Sequence, residues 1–427
     1  MLAALPEGTE DPVVSPPGAF VGSNRVRLLQ GGDELFPAMH AAMAAARSQV
    51  WLATYIFHDD EAGRAMTDAL CAAARRGVAV HVLVDGFGSM ATLPRLKAWL
   101  AVEGLTLEVF RPLDRWSAWL QPVQLRRLHH KVCVVDEDLA FVGGINILDD
   151  RNDLSHGRSQ RPRLDFAVEL HGPVVQQVLR LVQSLDTRAR LGQEWRAEVG
   201  ALARSQRPVA DTLQLLRELR GTVPQAEQPD ASAALQPVRA AFVVRDNLGR
   251  RRAIERSYIE AVRGARHSVD IACAYFYPRR AFRRSLLAAA ERGVQVRLLM
   301  QGKADYLLAA LAARALYDEL LARGVRIFEY TPAFLHAKVA VVDERWATVG
   351  SSNIDPLSLL LNLEANALVQ DEDFARLLRQ RIDEAMAVSQ EIKAPPMREG
   401  WRRWLSRGFV AWCATLYLRV AGITGRY

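Results

Sequence analysis

Leu128-His129-His130-Lys131-Val132-Cys133-Val134-Val135-Asp136 decides how this chain is read, because the pattern returns as Leu335-His336-Ala337-Lys338-Val339-Ala340-Val341-Val342-Asp343. Both stretches read His-x-Lys-x4-Asp. Each is followed, after the same short gap, by a glycine-led turn ending in Asn: Gly143-Gly144-Ile145-Asn146 and Gly350-Ser351-Ser352-Asn353. The apolar residues after each Lys fit a strand buried on both faces. On a strand, His and Lys two residues apart share one face. One imidazole and one ammonium are therefore expected side by side at the mouth of a sheet, with an Asn amide close by.

Two copies make two His, two Lys and two Asn. That set is rich in donors and positive charge, which suits a phosphate oxyanion. No Asp/Glu cluster with metal-ligand spacing accompanies it, so a phosphodiester is expected to be handled without a metal. One His attacks phosphorus and carries the group covalently. The other protonates the leaving alkoxide and later deprotonates the incoming alcohol or water. Lys131, Lys338, Asn146 and Asn353 neutralise the phosphate oxygens as charge spreads. Near-symmetry leaves the roles of His129 and His336 interchangeable at this stage. Asp136 and Asp343 close the motifs at the far end of each strand, where they are placed to support the fold as much as to touch substrate.

The duplicated pattern resembles the phospholipase D superfamily, whose members carry two such motifs. Gly350-Ser351-Ser352-Asn353-Ile354-Asp355-Pro356-Leu357-Ser358 and Leu361-Asn362-Leu363-Glu364-Ala365-Asn366 resemble bacterial cardiolipin synthases. Ile327-Phe328-Glu329-Tyr330-Thr331-Pro332 leads into the second motif as in that family. The resemblance runs from Asn24 to the C-terminus, and the lack of N-terminal spanning helices points to the shorter, B type. It implies two similar α/β/α domains with mixed sheets about a pseudo-twofold axis. It also implies transfer of a phosphatidyl group between two phosphatidylglycerol molecules through a phosphohistidine, giving cardiolipin and glycerol. No metal and no cofactor are implied. The expected partners are phosphatidylglycerol and an anionic membrane surface, not nucleic acid, at the cytoplasmic side of a bacterial membrane. The alternative is a phosphodiesterase of the same superfamily that hydrolyses phospholipid or nucleic acid.

Asp165, in Arg163-Leu164-Asp165-Phe166-Ala167, and Glu364 follow the two Asn turns at comparable places. A carboxylate on the far ring nitrogen would hold each imidazole in its working tautomer, and acidic residues do this in the family. The first lies further from its Asn, so a longer loop intervenes there.

The rest of the chain supports an internal repeat. Val50–Phe57, the helix over Gly63–Arg76 stopped by Gly77, and Val78–Val84 have counterparts in Val269–Phe276, the helix over Ala281–Arg292 stopped by Gly293, and Val294–Met300. Strand-helix-strand alternation implies a mixed or parallel sheet covered by helices. We expect a disordered lead over 1–23, a first domain over 24–220, a linker over 221–237 and a second domain over 238–393. Residues 394–427 form a basic tail in which Arg alternates with Trp, Phe and Leu. Its apolar run is too short to span ~30 Å of hydrocarbon, so an amphipathic helix in the membrane interface is expected rather than a packed core helix.

With 427 residues there is room for two full cores. The net charge of +7 favours anionic partners, lipid or nucleic acid. Cys71, Cys133, Cys273 and Cys413 follow no spacing pattern and read as buried small hydrophobes. His58-Asp59-Asp60 reads as a helix cap, since the second half has Tyr277-Pro278-Arg279 there.

Overall fold

The computed structural model describes residues 19–112, 127–154, 157–202, 238–245, 252–303, 313–355 and 362–393, with the side chains of 191–202 left aside. The tail expected to contact the membrane, the linker expected over 221–237 and most of the lead lie outside those residues, as does Cys413.

The first half contains β1 (Val21–Gln30), α1 (Gly31–Ala45), β2 (Gln49–Thr54), α2 (Glu61–Arg75), β3 (Ala79–Asp85), α3 (Leu93–Trp99) and β4 (Leu105–Phe110). It continues with β5 (Val132–Val135), β6 (Leu139–Gly143), β7 (Asn152–Asp153), β8 (Gly157–Arg158), β9 (Phe166–His171) and α4 (Val175–Leu202). The second half has β10 (Val238–Arg245), α5 (Ala253–Gly264), β11 (Ser268–Cys273), α6 (Arg280–Glu291), β12 (Gln295–Gln301), α7 (Tyr317–Leu321) and β13 (Arg326–Tyr330). It ends with β14 (Lys338–Val342), β15 (Trp346–Gly350), β16 (Glu364–Gln370), α8 (Glu372–Ala387) and β17 (Gln390–Ile392). β1 starts at Val21, inside the lead expected to be disordered to Ser23. β17 takes residues expected to end the helix of α8.

Apart from the small β7–β8 hairpin, the strands form a single mixed sheet in the order β17-β13-β12-β11-β14-β15-β16-β10-β1-β9-β6-β5-β2-β3-β4. The order read outward from the centre is the same on both sides, with β17 added at one edge. β2, β3 and β4 run parallel, as do β11, β12 and β13; the motif strands β5 and β14 run antiparallel to β2 and β11. The ladder joining the halves is β1 against β10, not the His strands. Asn24 fastens that seam: its amide donates to the carbonyls of Val21 and Val238, and its oxygen accepts from Val174 N at the head of α4.

Three apolar cores follow from this. α1, α2 and α3 cover one face of the first half, through residues such as Met39, Met43, Met66 and Leu70. α5, α6 and α7 cover the matching face of the second, through Tyr258, Phe282 and Leu286. The third core is common to both halves and is roofed by α4 and α8, with Val178, Leu185, Leu378 and Ile382 packed against strand residues of each. Apolar side chains recur on one face of each helix because only that face meets a sheet. Asp60 caps α2 by accepting from Gly63 N, and Asp371 caps α8 by accepting from Phe374 N. Cys71, Cys133 and Cys273 are buried and free.

A candidate phosphoryl-transfer site between the halves

β5 begins at Val132 and β14 at Lys338, so each His lies in the extended stretch that leads into its strand. Those stretches do not rest on their own half. Leu128 pairs with Leu363 and Leu335 with Leu164, in short parallel bridges across the molecule. His129 N donates to Leu363 O at 3.0 Å and Leu363 N to Arg127 O at 2.8 Å; His336 N donates to Leu164 O at 2.8 Å and Leu164 N to Phe334 O at 2.9 Å. In a parallel bridge the next residue on each strand is also brought together. The next residues are His129 with Glu364, and His336 with Asp165.

The side chains meet accordingly. His129 Nδ1 lies 3.0 Å from Glu364 Oε2, and His336 Nδ1 lies 2.6 Å from Asp165 Oδ2. Each imidazole is thus held by a carboxylate from the opposite half. With Nδ1 engaged, Nε2 is the ring atom left to meet a phosphorus or a proton. The positions of Asp165 and Glu364 were legible in the sequence; their exchange across the two halves was not, because a bridge between distant segments leaves no local pattern.

The partners are buried, and burial governs their charge. Burial pushes Glu364 up, but the His129 charge and hydrogen bond, Lys131 and the Ser351 hydroxyl outweigh it and hold the carboxyl below its ordinary range. Ser351 Oγ donates to Glu364 Oε2 at 2.5 Å and Asn362 Nδ2 to Glu364 Oε1 at 3.3 Å. Asp165 lacks a matching hydroxyl, since Gly144 occupies the place of Ser351 and a side chain there would meet the carboxylate. Burial, only partly offset by Lys338 and the Phe166 N–H, pushes Asp165 up to about 7. Burial also lowers His129, against the pull of Glu364, and lowers His336 further, with Lys338, Arg163, Lys131 and His129 adding to the shift. The charges of Lys131 and Lys338 act on both histidines, and that of His129 on His336, so the two half-sites lie within electrostatic reach of each other. Burial thus favours the uncharged imidazole in both, and for His129 that is the state a nucleophile needs.

The lysines stand differently from expectation. Lys131 Nζ donates to the carbonyl of His129 at 2.9 Å, and Lys338 Nζ donates to the carbonyl of His336. Each ammonium braces the backbone of its own His, and burial lowers Lys131 to about 7 and Lys338 in the same direction. Asn146 and Asn353 are buried. Asn146 Oδ1 accepts from Ile56 N at 3.2 Å, which leaves its NH2 group as the end free to serve an anion.

Asp136 and Asp343 sit at the far end of their strands, away from the imidazoles. Both take a left-handed φ, 50° and 52°, in the turn that follows the strand. Asp136 accepts from the N–H groups of Arg47, Ser48 and Gln49, and Asp343 from those of Arg266, His267 and Ser268. They tie the turn to the loop before β2 or β11 and reach no reacting atom. Of the ten residues singled out in the sequence, the contacts join His129, Lys131, Glu364, His336, Lys338 and Asp165, and they hold these two aspartates at the opposite ends of the motif strands.

The structure adds residues that the motifs did not single out. Asp85 accepts from Leu128 N at 2.8 Å, and Gln301 accepts from Leu335 N at 3.1 Å. They end β3 and β12 and fix the residue before each His. Their matching strand-end positions were the signal that marked them. Burial pushes Asp85 up, with Arg127 opposing. His130 is buried between the motif residues and held neutral, lowered to about 4 by burial, where the second motif has Ala337.

Against this geometry stand the comparisons with known proteins. A family model described as "Cardiolipin synthase, PLD-like domain" matches residues 39–157 and 258–386, one copy in each half and each including a His-x-Lys motif. The chain is similar to cardiolipin synthase B of Escherichia coli strain K12, 35% identical over 384 residues that make up 88% of this chain and 85% of the relative. It is similar to cardiolipin synthase B of Salmonella typhimurium strain LT2, 36% identical over 362 residues, 84% of this chain and 79% of the relative. In fold it resembles the crystal structure of phosphatidylserine synthase from Haemophilus influenzae Rd KW20, with a TM-score of 0.63, 13% identity and 95% of each chain covered.

Proposed function

We propose a reaction from one premise: the chain belongs to the cardiolipin synthase family of PLD-like domain proteins. In this reading it is a phosphatidyltransferase that joins two phosphatidylglycerol molecules into cardiolipin and releases glycerol. His129 Nε2 attacks the phosphorus of the first lipid, and the Asp165–His336 pair, which enters the step carrying one extra proton across its 2.6 Å contact, delivers that proton through His336 Nε2 to the departing glycerol oxygen as the P–O bond breaks. The phosphatidyl group then waits on His129. His336, now neutral, takes the proton from a glycerol hydroxyl of the second phosphatidylglycerol as that oxygen bonds to phosphorus and the P–N bond breaks.

The observation that carries the reading is the pair of buried carboxylates, each on the Nδ1 of the opposite half's histidine. They leave two Nε2 atoms of matched chemistry to act on one phosphate. Glu364, clamped by Ser351, keeps its negative charge beside His129, which supports the imidazole as it becomes a phosphohistidine. Asp165 and His336 form a pair in which burial disfavours charge on both, so protons pass in and out with little cost. Lys131 and Lys338 raise the local positive potential while bracing the two histidines, and the amides of Asn146 and Asn353 serve the phosphate oxygens.

No described helix is long and apolar enough to cross a membrane. The Trp- and Arg-bearing residues 397–427 are proposed to bring the enzyme to an anionic bilayer at the cytoplasmic face, where basic residues contribute about 1 kcal/mol each. Purified protein given phosphatidylglycerol vesicles is expected to form cardiolipin and glycerol, and His129→Ala to form neither. A His129→Ala protein that still makes cardiolipin would end this reading. Removing residues 397–427 is expected to abolish sedimentation with anionic vesicles, and unchanged sedimentation would refute the part given to the tail.

A further inference from the structure

The two half-sites differ in one wall. Val50 pairs with Val135 and Val269 with Val342, while Phe57 bridges Ile147 and Phe276 bridges Ile354. Tyr55 and Ala274 are therefore equivalent positions, just beyond the ends of β2 and β11. The ring of Tyr55 lies 4.9 Å from the ring of His129, tilted by 54°, and Lys131 Nζ lies 5.3 Å from its centre. Ala274 has no ring to offer His336. The exposures agree: the His129 side chain is 12% exposed and that of His336 23%.

Tyr55 is also held in place. Ser89 Oγ donates to its carbonyl at 3.1 Å and accepts from Phe57 N at 3.0 Å, and Gly88 approaches so closely that a Cβ there would meet the Tyr55 carbonyl and one edge of its ring. A side chain at residue 88 would displace that ring. The aromatic wall is thus a fixed part of the His129 half-site, set by the turn after β3.

We infer that Tyr55 is a shielding and positioning residue that sets the balance between transfer and hydrolysis. The inference rests on the proposed reading of His129 as the group that carries the phosphatidyl intermediate. That intermediate has two fates of the same chemistry. A glycerol hydroxyl of phosphatidylglycerol forms the new P–O bond, the P–N bond to His129 breaks, and the proton goes to His336 Nε2; the product is cardiolipin. Water in the same place gives phosphatidic acid, with the same bond broken and the same proton accepted. Selectivity must come from keeping water off the intermediate while the lipid hydroxyl arrives. The Tyr55 ring covers the imidazole and occupies the lysine beside it, holding that cation in a contact of its own. Ala274, by contrast, puts no ring beside His336, whose side chain is about twice as exposed, as suits the residue that exchanges protons with both acceptors.

The test is a product ratio. Wild type, Tyr55→Ala, Tyr55→Leu and Tyr55→Phe are given phosphatidylglycerol vesicles, and phosphatidic acid and cardiolipin are quantified together. The ratio is taken per turnover, so a smaller folded fraction lowers both products alike. We expect the ratio of phosphatidic acid to cardiolipin to rise several-fold in Tyr55→Ala and Tyr55→Leu and to stay at the wild-type value in Tyr55→Phe, which keeps the ring. Should Tyr55→Ala fail to fold, Tyr55→Leu keeps apolar bulk and reads the loss of the ring face. An unchanged ratio in the ring-less variants, or a rise in Tyr55→Phe equal to theirs, would overturn the inference. Wild type that makes no cardiolipin at all would instead refute the reading on which it rests.

Discussion

Asp136 shows how a residue of a catalytic-looking motif can serve the fold alone. Burial pushes its carboxyl up, but the N–H groups of Ser48, Arg47 and Gln49 and the Ser48 hydroxyl outweigh burial and hold it below its ordinary value. Replacing it by Asn is expected to cost about 1–3 kcal/mol of stability, the price of weakening charge-assisted bonds to those donors, while kcat on lipid stays near wild type. The depressed folded-state pKa fixes the sign of the pH dependence. The carboxylate stabilises the fold above its unfolded pKa of about 4, and that stabilisation is lost as pH falls through the still lower folded value. Urea unfolding of Asp136→Asn and wild type should therefore differ fully at neutral pH and converge in acid. Lys131 makes the opposite case: its charge helps keep His129 and His336 below their ordinary values, after burial. Lys131→Met is expected to let both rise, so the acid limb of the pH–rate profile of the residual activity moves to higher pH. An acid limb that stays or moves down would contradict the place given to that lysine. The sequence made His129, Lys131, Asn146 and Asp165 legible because their spacing is local; it placed Asp136 with them for the same reason, since spacing does not tell which end of a strand meets substrate.

At the scale of elements, the glycine that opens each Asn turn is explained by close approach. A side chain at Gly350 would collide with Asn366 on β16, the strand paired with β15. Gly350→Ala must push those strands apart, which loosens Ser351 from Glu364 one residue further on. Overpacking of this kind costs about 1–3 kcal/mol, and we expect cardiolipin formation to fall with it, through Glu364. Asp371→Ala is the contrasting case. It removes the cap of α8 at a cost of about 1 kcal/mol, but the bond lost is local to the first turn of a helix that roofs the shared core, so kcat should hold. Thermal unfolding with activity measured in parallel separates the two. Helices α2 and α6 and strands β2, β3, β11 and β12 were legible from apolar spacing and from Gly77 and Gly293. The short strands β6, β9, β15, β16 and β17 were not read from the sequence as strands. The first four are short, mainly apolar runs and β17 is only Gln390-Glu391-Ile392; pairing, not periodicity, makes them strands.

Across the whole molecule the repeat acquires its purpose. Neither motif histidine draws its carboxylate from its own half, because Glu364 serves His129 and Asp165 serves His336. Glu364→Gln should therefore lower the titration midpoint of His129, which lies in the other half, and leave that of His336 nearly unmoved when both are followed by NMR. The two motifs foretold two halves meeting around one site; they did not foretell the β1–β10 seam or the crossed carboxylates, which exist only once the halves have docked. The claim on which all of this depends is that His129 carries the phosphatidyl group while His336 moves the protons. It is tested most directly by incubating His336→Ala with phosphatidylglycerol labelled in its phosphodiester, quenching under conditions that spare a P–N bond, and mapping the label by mass spectrometry. A phosphatidyl adduct on His129, absent from His129→Ala, is the expected result; label on any other residue, or turnover to cardiolipin with no adduct at His129, would contradict it.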